Sequence, residues 1–278
     1  LLVPNEIETG LATNLATGIF LVILSAIVIL GGLKRISMTT SRLVPFMVVL
    51  YFVAVLYILV VNFSVLPEYF IMIFTDAFAA QNYHGDPLLG GVVGGLILLG
   101  IRRGAFSNEA GIGTAPMAHG AAKTTEPVRE GLVAMLGPAI DTLIVCTLTA
   151  LAILVTGVWQ TTDSNGVSLT ANAFNNSMPG IGSYLLLLCI AVFSISSLFS
   201  YSYYGTKCMS FLFGAEKKKY YNYFYLLSIL IGAVASLDII INLIDGVFAL
   251  MAFPTMIATL ILAPKVKAAA KDYFDKIK

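Results

Sequence analysis

GGVVGGLILLGIRRGAFSNEAGIGTAPMAHGAA, running from Gly90 to Ala122, is the stretch whose reading decides the fold of this chain. It opens as an apolar run fit for a membrane and is interrupted by glycine pairs at 90–91 and 94–95. It then meets Arg102 and Arg103 and continues into small residues that hold Ser107, Asn108 and Glu109. Glycine inside a helix costs roughly 1 kcal/mol against alanine, so four within six residues predict a poor place for continuous helix. In a bilayer, main-chain groups freed by a break are tolerated only where protein buries them or where they line a watery cavity, and broken helices at that depth form ligand sites. Gly90/Gly94, Gly91/Gly95 and Gly100/Gly104 also have the GxxxG spacing of closely packed helices. The residues alone leave both readings open.

Composition sets the class around this stretch. Of 278 residues 58% are hydrophobic and 11% charged, and the mean hydropathy is +0.91. Soluble domains carry about 25% charged residues, so the chain reads as an integral membrane protein. Cys146, Cys189 and Cys208 all fall in apolar segments without CxxC or zinc spacing, which predicts packing residues and no disulfide framework.

Working outward, seven apolar segments stand out, at roughly 12–33, 43–62, 88–101, 131–158, 181–206, 220–237 and 239–262. A span needs about 20 apolar residues. Segment 88–101 is short for one, and an extended break within it, or a neighbouring half-helix, is expected to make up its length. The last two segments are separated by a predicted tight turn at Leu237–Asp238. With seven alternating spans, all sixteen Lys and Arg residues fall on one side, while Glu6, Glu8, Glu68, Asp76, Asp86 and Asp163 lie on the other. The positive-inside rule then places the N-terminus outside and the C-terminus, with the basic tail 265–278, in the cytoplasm. An outside N-terminus without a signal peptide is most simply explained by further spans before Leu1.

Between spans, Pro67–Ala80 reads as an amphipathic helix on the outer surface or as a gate leading into the glycine break. Loop 160–180 is rich in Thr, Asn and Ser and suggests no chemistry. Asp141 lies about ten residues into the fourth span, hence about 15 Å deep. A carboxylate there is a functional hypothesis by default, either as a ligand or as a strut to a neighbouring helix. Asp245 and Asn242 lie in the first two turns of the last span, as a gate or reaching the interface. Ser194, Ser196, Ser197, Ser200 and Ser202, with Tyr201, Tyr203 and Tyr204, cluster in the fifth span. Hydroxyls with main-chain carbonyls suit an alkali cation, yet serine also packs helices and bonds its own turn. Enzyme motifs are missing: Ser107 has no G-x-S-x-G elbow, His119 has no zinc-spaced partner, and the glycines near Gly111 lack a phosphate-loop lysine. No nucleic-acid partner or organic cofactor is expected.

The runs RRGAFSNEAGIGTAP (Arg102–Pro116) and PVREGLVAMLGPAIDTLIVCTLTAL (Pro127–Leu151) closely resemble the alanine or glycine:cation symporter family, the bacterial and archaeal sodium:alanine symporters. VILGGLKRI (Val28–Ile36), LVPFMVVLY (Leu43–Tyr51), SYYGTKC (Ser202–Cys208) and MAFP (Met251–Pro254) match as well, so the likeness covers nearly the whole chain in order. The resemblance implies an all-α, LeuT-type inverted-repeat transporter fold in a bacterial or archaeal cell membrane. Residues 1–87 would end the first repeat, with core helices four and five, and 88–264 would form the second repeat, helices six to ten, the sixth being discontinuous. The first three core helices would be missing, and the chain alone would be inactive.

By the same resemblance the function is symport of a small neutral amino acid, such as alanine or glycine, with sodium as coupling ion and a proton as the alternative. Leu89, Gly90, Gly91, Val93 and Gly94 would face the amino acid, with free amides near Gly90 and Gly91 as donors, and Ser197 and Tyr201 would border the same pocket. The carbonyl of Phe193 with Ser196 and Ser197 would form a cation site, Asp141 would contribute to a second, and Asp245 would be an outer-gate carboxylate. The family commonly has Trp where this chain has Tyr201 and Asn where it has Thr255. The first bears on side-chain size, so a small neutral amino acid is the firmer expectation.

Overall fold

The computed structural model describes residues 10–79, 87–109, 111–162, 164 and 166–277; at 76–79, 87–94, 96, 237 and 238 it describes the backbone alone. Every regular element among these residues is helical: α1 (Leu11–Ile29), α2 (Gly32–Val61), α3 (Leu66–Ala79), α4 (Pro87–Ser107), α5 (Thr114–His119), α6 (Pro127–Ala139), a π-helical stretch (Ile140–Cys146), α7 (Thr147–Val155), α8 (Val158–Thr161), α9 (Gly166–Ser177), α10 (Gly182–Phe213), a 3-10 turn (Ala215–Lys217), α11 (Lys218–Val234) and α12 (Leu237–Ile277). A helix bonds all its main-chain groups within one segment, which an apolar medium demands. Five stretches among the described residues are long and apolar enough to cross a membrane: Leu11–Ile29, Gly32–Val61, Pro127–Val155, Gly182–Phe213 and Ile239–Ile277. The chain is therefore a multi-pass, all-helical membrane protein.

One expectation is corrected. The break at Gly90–Gly95 is not there: α4 is helical without interruption from Pro87 through Ser107, 21 residues. Glycine weakens a helix but does not forbid its φ and ψ. Its cost of about 1 kcal/mol is less than that of an unmade hydrogen bond in an apolar medium, which is several kcal/mol. The segment also needs no half-helix to lengthen it, because the helix continues through Arg102 and Arg103 to Ser107. The basic stretch after residue 264 continues the 41-residue α12 through Ile277, with Pro254 and Pro264 inside the helix.

By contact the chain forms two compact units. They interleave along the sequence, whereas a division into repeats follows chain order. The first contains residues 1–84 and 145–235, hence α1–α3 and α7–α11. In it α1 packs on α11, and α10 packs on α2, α9 and α11. One apolar cluster joins Val55, Ile58 and Leu59 of α2 to Leu151 and Val155 of α7, Phe174 of α9 and Leu186 of α10. A second joins Val28 and Ile29 of α1, Ile36 of α2, Phe199 of α10, and Leu226 and Ile229 of α11. The Thr/Asn-rich stretch after Gln160 is structural: Gly166–Ser177 is helical and buries Ala171, Ala173 and Phe174. The Phe174 ring stacks on Tyr51 at 5.9 Å. The amphipathic segment expected at 67–80 is α3, packed against α7.

The second unit contains residues 85–144 and 236–278, hence α4, α5, α6, the start of the π-helical stretch, and α12. Among its described residues only Ile112 and Thr114 are buried. Leu250, Phe253 and Leu260 of α12 are 70–75% exposed. Such continuous apolar surface marks contact with lipid or protein.

Candidate functional site

In the second unit the polar chemistry gathers where α4 ends. The Ser107 hydroxyl donates to Asp141 Oδ2 at 2.6 Å. Its neighbour Asn108 donates from Nδ2 to Thr142 Oγ1 at 2.7 Å and to the Gly104 carbonyl at 2.9 Å. Two adjacent polar residues thus grip two adjacent polar residues, tying the end of α4 to the first turn of the π-helical stretch. That stretch follows Pro138, which lies inside α6. Proline has no N–H for the carbonyl four residues back and its ring pushes against that turn. The looser coil after it is the kind of single π turn found at functional sites.

Past Ser107 the described residues 108, 109 and 111–113 are not helical. Glu109 has φ +50°, the left-handed region in which a residue other than glycine is strained. Gly111 and Gly113 follow at φ +76° and +86°. Gly113 is required on a second ground, since a Cβ there would stand 3.0 Å from Thr255 Oγ1 on α12. The two ends of this loop carry buried polar atoms without a hydrogen-bond partner among the described residues, Asn108 Oδ1 and Thr114 Oγ1. Strained residues and orphaned polar atoms gather at functional sites. The irregular backbone expected near Val93 is absent there, and the described residues Glu109 and 111–113 are irregular instead.

The unit is closed by α12. Arg102 forms an ion pair with Asp245, and the rings of Phe106 and Phe248 lie 5.1 Å apart. On the other side of the loop, His119 Nδ1 and Glu130 Oε1 are 2.7 Å apart, linking α5 to α6. Leu89, Gly90, Gly91, Val93 and Gly94 occupy the first two turns of α4, and their side chains lie outside the described residues. Gly90 and Gly94, four residues apart on a helix, share one face.

The remaining predicted residues are on α10, in the first unit. Ser196 is buried and its hydroxyl donates to the Phe193 carbonyl at 2.9 Å. Ser197 beside it is half-buried. Ser200 donates to the Ser196 carbonyl at 3.1 Å and Ser202 to the Phe199 carbonyl at 2.7 Å. The Tyr201 ring lies 5.9 Å from that of Tyr204. Structure thus brings Phe193, Ser196 and Ser197 together through the turns of one helix. Asp141 belongs to the other unit. Sequence reasoning named Asp141 and Asp245 but missed their partners Ser107 and Arg102. A signal existed in the polar doublets Ser107–Asn108 and Asp141–Thr142, each set in apolar surroundings.

With this geometry in hand, comparison with known proteins is informative. Residues 4–278 match the profile of the sodium:alanine symporter family. The chain is 38% identical over 277 residues to the sodium/alanine symporter AgcS of Methanococcus maripaludis, covering 97% of this chain and 60% of that protein. It is 33% identical over 268 residues to the probable sodium/glutamine symporter GlnT of Bacillus subtilis, covering 96% and 55%. It is 32% identical over 291 residues to the putative sodium/proton-dependent alanine carrier protein YrbD of Bacillus subtilis, covering 97% and 59%. The chain spans 55–60% of the length of these relatives.

Proposed function

The chain belongs to the sodium:alanine symporter family, and on that premise we propose that it works in cation-coupled symport of a small neutral amino acid, alanine or glycine, with sodium as the coupling ion. The family match over residues 4–278 carries this reading. Two of the relatives carry alanine in their names and all three carry sodium. In the proposed inverted-repeat arrangement α1 and α2 are core helices four and five, and α4, α6–α7, α10, α11 and α12 are helices six to ten. The proposed orientation puts all sixteen Lys and Arg residues on the cytoplasmic side.

The residues support the parts as follows. On α10 the Ser196 proton is held by the Phe193 carbonyl, so the lone pairs of the hydroxyl oxygen remain available to an alkali cation, joined by Ser197. On α4 Leu89 and Val93, set among Gly90, Gly91 and Gly94, limit the substrate by size. An unbroken α4 offers no free amides at Gly90 and Gly91, so donors for the substrate carboxylate are sought in the loop 109–113. Asp141 completes a second cation site with Ser107 as its positioning residue, and Asp245, paired with Arg102, serves as a gate that opens by parting the pair. Coupling follows when cation and amino acid favour the same state, each then raising the affinity of the other.

The test is uptake of labelled alanine into proteoliposomes holding the product of the complete reading frame that carries this chain. Uptake should rise with an inward sodium gradient and collapse when the gradient is dissipated. Equal uptake with and without the gradient overturns sodium coupling, and uptake driven by a pH gradient alone assigns the proton instead. Replacing Ser196 and Ser197 together by alanine should raise half-saturating sodium about tenfold, one decade of binding constant.

A further inference from the structure

The first unit contains a cavity of about 190 Å³ that the transport reading does not use. It lies where α1 gives way to α2 and α10 to α11, lined by Ile29, Leu33 and Ile36 on its apolar side and by Tyr203, Lys207, Lys218 and Asn222 on its polar side. At roughly 30 Å³ per water it has room for about six waters, or for one tetrahedral oxyanion and a little water.

Its polar groups are unequally served. The hydroxyls of Ser202 and Thr206, which also face it, are spent on the carbonyls of Phe199 and Tyr203, at 2.7 and 2.8 Å. Tyr203 Oη and Asn222 Oδ1 are buried and have no hydrogen-bond partner among the described residues. Leaving such atoms unpaired costs about 1–3 kcal/mol each. Lys207 lies 5.3 Å from the centroid of the Tyr203 ring, and neither Lys207 nor Lys218 has an acidic partner among the described residues. Lys218 is also the first residue of α11, whose 17-residue helix directs the positive end of its dipole to that point. Lys207 and Lys218, both also exposed to solvent, thus line one small space together with a phenol O–H and a side-chain amide. With the amide turned over, an assignment that heavy-atom positions alone do not fix, every one of them is a donor. The occupant that satisfies them is a compact anion with several acceptor oxygens.

We propose that this cavity binds a phosphate group, either the headgroup phosphate of an anionic lipid or a free phosphate ion. Lys207 and Lys218 supply the charge, Tyr203 donates its hydroxyl, and Asn222 donates its amide. Basic pockets between membrane helices are where anionic headgroups dock. The proposal does not depend on the transport reading, because its residues are not those assigned to cation or amino acid.

The test measures the thermal unfolding midpoint of the purified full chain by intrinsic fluorescence. One arm adds inorganic phosphate in uncharged detergent, against chloride at equal ionic strength. A second arm compares lipid nanodiscs of phosphatidylcholine with nanodiscs of phosphatidylcholine and phosphatidylglycerol. The expected result is a rise in the midpoint with phosphate, with phosphatidylglycerol, or with both. Lys207→Gln with Lys218→Gln should abolish it, and Tyr203→Phe should weaken phosphate binding about tenfold. A rise in the lipid arm alone identifies a headgroup, and a rise in the phosphate arm identifies a site open to the free ion. No rise in either arm overturns the proposal, as does a rise that survives in the lysine variant. Should the double variant fail to fold, Tyr203→Phe decides, since it removes one oxygen and no charge: unchanged affinity counts against the site.

Discussion

In the unit built from α1–α3 and α7–α11, Val55, Ile58, Ala173 and Phe174 are wholly buried, and hydroxyls such as Ser196, Ser200 and Ser202 bond the turn beneath them. In the unit built from α4–α6 and α12, burial is confined to Ile112 and Thr114 among the described residues, and side chains bond across helices, Ser107 to Asp141, Asn108 to Thr142, Arg102 to Asp245. The first unit is held chiefly by apolar volume, to which the hydrogen bonds between Tyr51 and Thr149 and from Tyr225 to the Leu198 carbonyl are added, and the second by named polar contacts with little burial. Apolar packing tolerates repacking and specifies shape loosely, whereas a cross-helix hydrogen bond has one geometry and two alternatives, made or broken. A region held by a few such bonds is suited to change state, and a region held by a filled core is suited to stay put.

Four measurements break or sharpen that contrast. The largest effect belongs to Phe174→Ala, which should cost about 3–5 kcal/mol of stability as a buried aromatic is lost. Phe253→Ala, at a residue 70% exposed on α12, should change stability by only about 0.5 kcal/mol. Unfolding in detergent followed by circular dichroism reads both, and equal losses would erase the distinction between the units. Next, a double-mutant cycle on Ser107→Ala and Asp141→Asn should return a coupling of about 1–2 kcal/mol, as expected of a hydrogen bond to a charged group. A coupling near zero would leave Asp141 without the strut seen here.

A smaller effect is expected at Arg102 and Asp245. The Arg102 side chain is 55% exposed, so the cycle of Arg102→Ala with Asp245→Asn should give about 0.2–1 kcal/mol. Exchanging the two residues should recover uptake lost in either single charge reversal; failure to recover means that the pair is not what closes this end of the unit. The smallest change in stability, a few tenths of a kcal/mol, is expected for Ser196→Ala, whose hydroxyl bonds only its own turn. Sodium activation of uptake should nevertheless shift, and a variant unchanged in both would remove Ser196 from the cation site.

Much of the helical plan was legible because hydropathy is a local property. The runs at 12–33, 43–62, 131–158 and 181–206 each overlap a long apolar helix. Family membership was legible in FSNEAG and IDT, short strings whose residue types are unusual in apolar surroundings. The continuity of α4 was not. Glycine count lowers helix propensity, and the opposing term, the cost of unpaired main chain in an apolar medium, is set by the environment and not by the residue. For the same reason the irregular backbone at 109–113 was passed over in favour of the glycine pairs. Glu109 shows no sequence mark of its positive φ, which depends on where Asn108 and Thr114 are anchored.

The sequence by itself determined that this is a multi-pass helical protein of the symporter family, because the order of apolar and charged residues decides which segments leave water. Only the tertiary structure decided that Ser107 meets Asp141, 34 residues on, that Arg102 meets Asp245, 143 residues on, and that two orphaned polar atoms share a cavity with two lysines. Those pairings arise from how helices lie against one another, and helix packing is fixed by side-chain shape summed over whole faces, a quantity that no local spacing carries.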